Sequence, residues 1–233
     1  AEFSKELASL GDLYVNDAFG SAHRAHSSTT GVAHYLPAYA GLLMEKEVGM
    51  LRQVLEKGQQ PRMAIMGGAK IADKLGLIDN LIEKMDVIAI GGGMANTFLK
   101  AQGIEVGKSL AEDDLADEAR RLLIKAESKG VTLMLPEDVL IAAQISADTA
   151  VKTVDVGSIP ADMMILDIGP KTVSKFNQAI SAAKTIIWNG PLGVYEYEPF
   201  SHGTREVARA VASSSALSVI GGGDSVAAVH DLG

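Results

Sequence analysis

The chain has no cysteine among its 233 residues. That excludes disulfides, thiolate-bound zinc and iron–sulfur clusters, and it fits a reducing compartment such as the cytoplasm. It has no apolar run approaching the roughly 18 residues a membrane helix needs. The opening AEFSKELASL lacks the basic and apolar regions of a signal peptide, so no membrane and no targeting signal are expected. Lys/Arg-rich runs are also missing, and 21 Lys+Arg against 29 Asp+Glu give a formal charge of -8. This argues against general nucleic-acid binding, which needs a clustered positive surface. A small anionic ligand stays open, because a phosphate site needs only local lysines and backbone N–H groups. No repeat or low-complexity stretch is found. What is present, 47% hydrophobic and 21% charged residues, is the composition of a globular protein of one large domain, or one domain and a fragment.

The pattern changes near Gly58. Before it, Glu2 to Leu10 predicts a short helix, Asp12 to Asn16 a strand, and Asp17 to Gly41 a loop segment rich in His, Ser and Thr. Leu43, Met44, Val48, Leu51, Val54 and Leu55 recur at helical spacing, which predicts one amphipathic connecting helix. After Pro61, apolar runs at Arg62–Met66, Asp86–Ile90, Val131–Leu135, Asp162–Leu166, Lys184–Trp188 and Ala216–Ile220 read as strands of a parallel sheet covered on both faces. Between them, Ile71, Leu75, Ile78, Leu81, Ile82 and Met85 form one helical stripe, and Leu115, Ala119, Leu122, Leu123 and Ala126 another. The expected fold is a doubly wound, Rossmann-like α/β domain in three αβα layers.

Glycine follows strand after strand: Gly67-Gly68, Gly91-Gly92-Gly93, Gly169-Pro170, Asn189-Gly190-Pro191 and Gly221-Gly222-Gly223. In a parallel sheet these turns share one edge. Ligands of open α/β sheets bind there, beside exposed N–H groups and the positive ends of helix dipoles.

Two familiar nucleotide motifs fail. The G-x-G-x-x-G fingerprint would need glycine at Asn96, and Gly103 to Ser109 is one spacer short of a P-loop and follows no strand. Ser109-Leu110-Ala111-Glu112 reads instead as a capping box that opens an acid-rich helix at Asp113. Gly67-Gly68-Ala69-Lys70-Ile71-Ala72-Asp73-Lys74 is more informative. Lysines four apart on one helix face at its N-terminus oppose the dipole unless an anion lies between them; two solvated surface lysines are the plain alternative. In Gly221-Gly222-Gly223-Asp224-Ser225, Asp224 is an oxygen ligand of the kind Mg²⁺ shares with phosphates, or simply a helix cap. His23-Arg24-Ala25-His26 suits an anionic substrate better than a metal, for which no third ligand is in view.

Taken together, NDAFGSAHRAHSST (Asn16 to Thr29), GGAKIADK (Gly67 to Lys74), GGGMANTFLKA (Gly91 to Ala101), LDIGP (Leu166 to Pro170), WNGPLGVYE (Trp188 to Glu196) and GGGDS (Gly221 to Ser225) closely resemble phosphoglycerate kinase, in that family's order and over essentially the whole chain. The resemblance implies reversible phosphoryl transfer from 1,3-bisphosphoglycerate to ADP, giving 3-phosphoglycerate and Mg-ATP in glycolysis, by a cytoplasmic enzyme that is usually monomeric.

It further implies that Lys70 stabilises the transferring group and Lys74 the nucleotide phosphates, with Asp224 on Mg²⁺. Gly92, Gly93, Leu110, Leu166, Pro191 and Val194 would line the adenine pocket. Asn189 would lie near the phosphates and Glu196 near the ribose. Gly68, Gly222, Gly223 and Ser225 would complete the phosphate turns, and Arg24 with His23 would belong to the substrate's basic patch. The rival is a non-catalytic adenine-nucleotide-binding module.

By the same resemblance, residues 1–41 are the end of an N-terminal substrate domain, 42–57 an interdomain helix, and 58–233 a nucleotide domain truncated at its C-terminus. The chain alone is then expected to turn over little.

Overall fold

The structure, a computed structural model, describes residues 2–231 apart from the side chain of Asp73; Ala1, Leu232 and Gly233, at the outer bounds of the expected domains, lie outside the described residues. The chain divides into two compact units, Ala1–Lys57 and Gly58–Gly233.

The first unit holds helix α1 (Glu2–Ala8), strands β1 (Tyr14–Asn16) and β2 (Ala38–Ala40), and helix α2 (Leu42–Lys57). The strands pair in parallel, Tyr14 opposite Ala38 and Asn16 opposite Ala40. Thr29 organises the loop between them: its buried hydroxyl donates to the Arg24 carbonyl at 2.5 Å and accepts the His26 N–H at 3.1 Å. Of the apolar stripe expected on α2, only Val54 is buried.

In the second unit, the elements are β3 (Arg62–Met66), α3 (Leu75–Ile82), β4 (Val87–Ile90), α4 (Gly92–Ala101), α5 (Ala116–Ser128), β5 (Thr132–Met134), β6 (Asp138–Ala142), β7 (Lys152–Asp155), β8 (Met164–Ile168), α6 (Pro170–Ala182), β9 (Thr185–Asn189), α7 (His202–Ser213), β10 (Leu217–Gly221) and α8 (Gly223–Asp231). Five strands form a wholly parallel sheet in the order β10-β9-β3-β4-β5. The chain winds outward from β3 through β4 to β5, then restarts at β9 on the other side of β3. The order therefore reverses between β3 and β9, and a crevice forms at such a switch point in an open sheet.

Side chains of β3 alternate between faces. Met63 and Ile65 pack with Phe176, Ile180, Val207 and Val211 of α6 and α7, around a fully buried Trp188. Helices α3 and α4 pack on α5, and α6 and α8 on α7, as the two outer layers require.

One expected member of the parallel sheet belongs elsewhere. The apolar run near Asp162–Leu166 forms β8, shifted to Met164–Ile168, in a separate antiparallel sheet of order β7-β6-β8. An apolar strand gives no sign in its own sequence of which sheet buries it.

Candidate functional site

The glycine turns after β3 and β9 interlock at the switch point. Gly67 N–H donates to the Asn189 carbonyl, Gly68 N–H to that of Pro191, and Gly92 N–H to that of Leu192, at 2.9–3.0 Å. Glycine is required by contact: a Cβ on Gly67 would stand 2.1 Å from the Pro191 oxygen, and one on Gly190, whose φ is +96°, 2.2 Å from the Gly67 oxygen. The Trp188 indole N–H donates to the Gly190 carbonyl at 2.8 Å, fixing the Asn-Gly-Pro turn from below.

These turns floor a cleft of about 350 Å³. Gly68, Gly92, Gly93 and Pro191 lie on its floor. Leu110, Leu166 and Val194 line it together with Val139, Ile145 and Met164, Glu196 lies beside Tyr195, and Asp224 joins from the start of α8. The apolar lining suits a flat ring, and the polar groups at the turns suit its charged appendage.

The remaining candidates sit around the cleft. Lys74 Nζ donates to the carbonyls of Gly67 at 2.6 Å and Asn189 at 3.3 Å, joining the two turns. Lys70 is exposed on the loop before α3. The two lysines do not share a helix face as their spacing suggested: α3 begins only at Leu75, and Lys74 is its N-cap. Asn189 Nδ2 donates to the Gly221 carbonyl at 3.0 Å, and the buried Ser225 hydroxyl accepts the Gly190 N–H. These bonds tie the third turn, with exposed Gly222 and Gly223, to the second. His23 and Arg24 belong to the first unit, exposed on its loop.

Two expectations are corrected. Gly169-Pro170 follows a strand and opens a helix, yet it does not line the cleft. The buried Asp138 carboxylate takes the Lys171 and Thr172 N–H groups at 3.0 and 2.8 Å and the Thr172 hydroxyl at 2.8 Å. Nor does Ser109–Glu112 form a capping box. Ser109 Oγ accepts the Ile165 N–H, while Glu112 Oε2 accepts the N–H groups of Ile71 and Ala72. The acid-rich segment starts as a short 3-10 turn, Asp113–Leu115, ahead of α5.

Two residues of the cleft are given no role in the sequence reading. Asp167 is almost wholly buried, accepting N–H groups from Ile168 at 2.9 Å and Gly203 at 2.7 Å. Burial pushes its carboxyl up to about 7, against those two bonds. Asn96, 1% exposed, donates to the Leu110 carbonyl at 2.9 Å, which leaves its Oδ1 without a protein partner.

Could the residues present hold Mg²⁺? Among the described residues no cluster of three or more His, Cys, Asp or Glu could enclose a metal. A single hard oxygen ligand at a cleft mouth, Asp224, fits a Mg²⁺ whose other ligands are phosphates and water.

The fold and cleft define an open α/β protein with a ligand crevice at its topological switch point. Comparison with known proteins narrows this further. The phosphoglycerate kinase family model matches residues 1–233. A phosphoglycerate kinase of Roseiflexus sp. (strain RS-1) is 56% identical over 99% of this chain and 58% of the relative, and one of Chloroflexus aurantiacus is 55% identical over 98% and 58%. The solved phosphoglycerate kinase of Coxiella burnetii superposes with a TM-score of 0.88 at 45% identity, over 99% of this chain and 60% of that one. That of Pyrococcus horikoshii OT3 gives 0.83 at 32%, over 98% and 58%. The chain belongs to the phosphoglycerate kinase family. It spans about 58% of the length of the curated relatives it matches. Among the described residues no helix is long and apolar enough to cross a membrane.

Proposed function

We propose that this chain forms the nucleotide-binding part of a phosphoglycerate kinase, which transfers a phosphoryl group reversibly between 1,3-bisphosphoglycerate and ADP to give 3-phosphoglycerate and ATP. The observation that carries the reading is the convergence, at one switch-point cleft, of an apolar slot, three laced glycine turns and Asp224. We assign residues 58–233 to the nucleotide domain, 42–57 to the connector and 1–41 to the end of the substrate domain. The working unit would be a cytoplasmic monomer acting on small anions, with no nucleic-acid partner.

In this reading adenine enters the slot between Leu110, Leu166 and Val194, over Gly92, Gly93 and Pro191, with Glu196 on the ribose. The phosphates lie over Gly68, Asn189 and the turn of Gly222, Gly223 and Ser225. A terminal oxygen of the ADP β-phosphate attacks the acyl phosphate phosphorus, and the carboxylate of 3-phosphoglycerate leaves with the P–O bonding pair. The transition state spreads charge over equatorial oxygens, so positioned cations supply most of the catalysis. The transferring group is assigned to Lys70, exposed on its loop, while Lys74 keeps the β3 and β9 turns joined beneath the phosphates. Mg²⁺ held by Asp224 would neutralise phosphate charge when the nucleotide is bound. His23 and Arg24 are assigned to the other substrate's anionic groups.

The test is calorimetric titration of this chain with ADP, with and without Mg²⁺. Mg-dependent binding that disappears in Asp224→Ala supports the kinase site. Binding indifferent to both the metal and the substitution would mean a passive adenine-nucleotide module. In the complete enzyme, Lys70→Ala should lower turnover by at least about 10²-fold with folding intact, and retained turnover would refute its role. The chain by itself should form ATP slowly; a near-normal rate in a coupled assay would overturn that expectation.

A further inference from the structure

The carboxylate of Glu112 bonds to backbone some 40 residues earlier in the chain. Its Oε2 accepts the N–H of Ile71 at 2.6 Å and of Ala72 at 3.1 Å. Those are the two residues after Lys70, in a stretch that belongs to no strand and comes before α3. Backbone there has no sheet ladder; apart from a short 3-10 turn, Ala72–Lys74, closed by the Lys74 N–H on the Ile71 carbonyl at 2.8 Å, the bonds it makes to side chains set its path. A carboxylate accepting two N–H groups is a strong, charge-assisted anchor.

The anchor is itself held by the cleft. Glu112 N–H donates to the hydroxyl of Thr97, buried on α4, and two residues earlier the Leu110 carbonyl accepts from Asn96. On the other flank, Lys108 N–H donates to the Met163 carbonyl at 2.8 Å, and Ser109 Oγ accepts the Ile165 N–H. The segment that offers Leu110 to the apolar slot therefore ends in the carboxylate that grips the lysine loop. We propose that Glu112 is a positioning residue: through its bonds to Ile71 and Ala72, it holds the loop carrying Lys70 in register with the wall that receives the base. This rests on the nucleotide-site reading above. It gives that site a connection between the end that binds the base and the end that meets the transferring phosphoryl group.

The experiment uses the complete kinase carrying this chain, with Glu112→Ala and Glu112→Gln. The alanine variant should lose on the order of tenfold in kcat with KM for ADP within about threefold, because a misplaced lysine costs transition-state contact rather than base binding. Glutamine, whose amide oxygen accepts the same two N–H groups, should recover most of the rate. Amide hydrogen exchange supplies a readout apart from activity: Ile71 and Ala72 should exchange faster in Glu112→Ala and recover in Glu112→Gln, with the β3 amides unchanged in both. An unchanged kcat in the alanine variant overturns the inference, as does a glutamine variant no better than alanine. A loss accompanied by faster exchange across β3 also overturns it, since that marks a general structural role. If Lys70→Ala keeps its turnover, the reading of the site fails first and the inference falls with it.

Discussion

The turn at Gly169-Pro170 and the turns at Gly67-Gly68 and Asn189-Gly190-Pro191 share one sequence habit, an apolar strand followed by glycine. Their chemistry diverges. At Gly169 the helix N-terminus is sealed by the protein's own carboxylate, Asp138, which takes the Lys171 and Thr172 N–H groups. At the switch point, the turns bond mainly to one another's backbone and leave a cleft over the joint. In the proposed reading, the open turns are the ones left to a ligand, because the fold supplies no internal anion for them. Glu112 makes an intermediate case, an internal anion placed just past Lys70.

The largest effect should come from forcing a side chain into the joint of the open turns. Gly190→Ala adds a Cβ 2.2 Å from the Gly67 oxygen at a φ of +96°, so both a backbone collision and left-handed strain must be relieved. A loss of about 4 kcal/mol or more of stability is expected in urea denaturation, with ADP binding lost as well. A variant of near-normal stability would show that the lacing of β3 to β9 is not what holds the cleft.

Next comes the sealed turn. Asp138→Ala leaves the Lys171 and Thr172 N–H groups and the Thr172 hydroxyl without their carboxylate. About 3 kcal/mol should be lost, while the folded fraction keeps its affinity for Mg-ADP, because Asp138 does not line the cleft. A selective loss of affinity at unchanged stability would erase the distinction between sealed and open turns.

Much of this architecture is legible in the sequence, for a reason that also marks where legibility stops. The strands at Arg62, Asp86 and Lys184 announce themselves because a strand buried on both faces must be apolar throughout, and the edge strand at Ala216 shares their apolar pattern though it is only half-buried. The run at Asp162 looks the same, but β8 lies in an antiparallel sheet. Its partner β6 starts on buried Asp138, a charge that disguises a core strand. Gly67 and Gly190 are visible because backbone packs against them at a strand end, where no Cβ fits. Glu112 misleads because S-x-x-E predicts a local bond, whereas its partners lie about 40 residues away. Asp167 is silent because its altered titration comes from burial, a property of the assembled fold.

That titration sets a second contrast, between buried and surface carboxylates. Asp79 is held below the usual range first by Arg121, Glu83 first by Lys129, and Glu118 by Arg121, all at the surface. Their contributions are present above the unfolded-state value and fade only in acid. Asp167 runs the other way: its carboxyl rises from 3.8 to about 7 in the folded chain. The native state then holds a proton that the unfolded state has released, and stability falls as pH rises through this window. Urea denaturation at pH 5 and pH 8 should differ by about 2 kcal/mol in favour of pH 5. Equal stability at the two values would place Asp167 with the surface carboxylates.

The smallest effect on stability belongs to the open turn's outermost glycine. Gly223 begins α8, and a Cβ there would meet nothing within 4 Å. The fold has no steric need for glycine at this position, and alanine favours a helix, so Gly223→Ala should change stability by no more than about 0.5 kcal/mol. If phosphate approaches this backbone, the same methyl stands in its path, and affinity for Mg-ADP should weaken by about threefold, under 1 kcal/mol. Calorimetric titration beside a denaturation curve separates the two quantities. A loss of binding with no loss of stability is what distinguishes a glycine kept for a ligand from Gly190, which the fold itself requires, and unchanged affinity would remove Gly223 from the site.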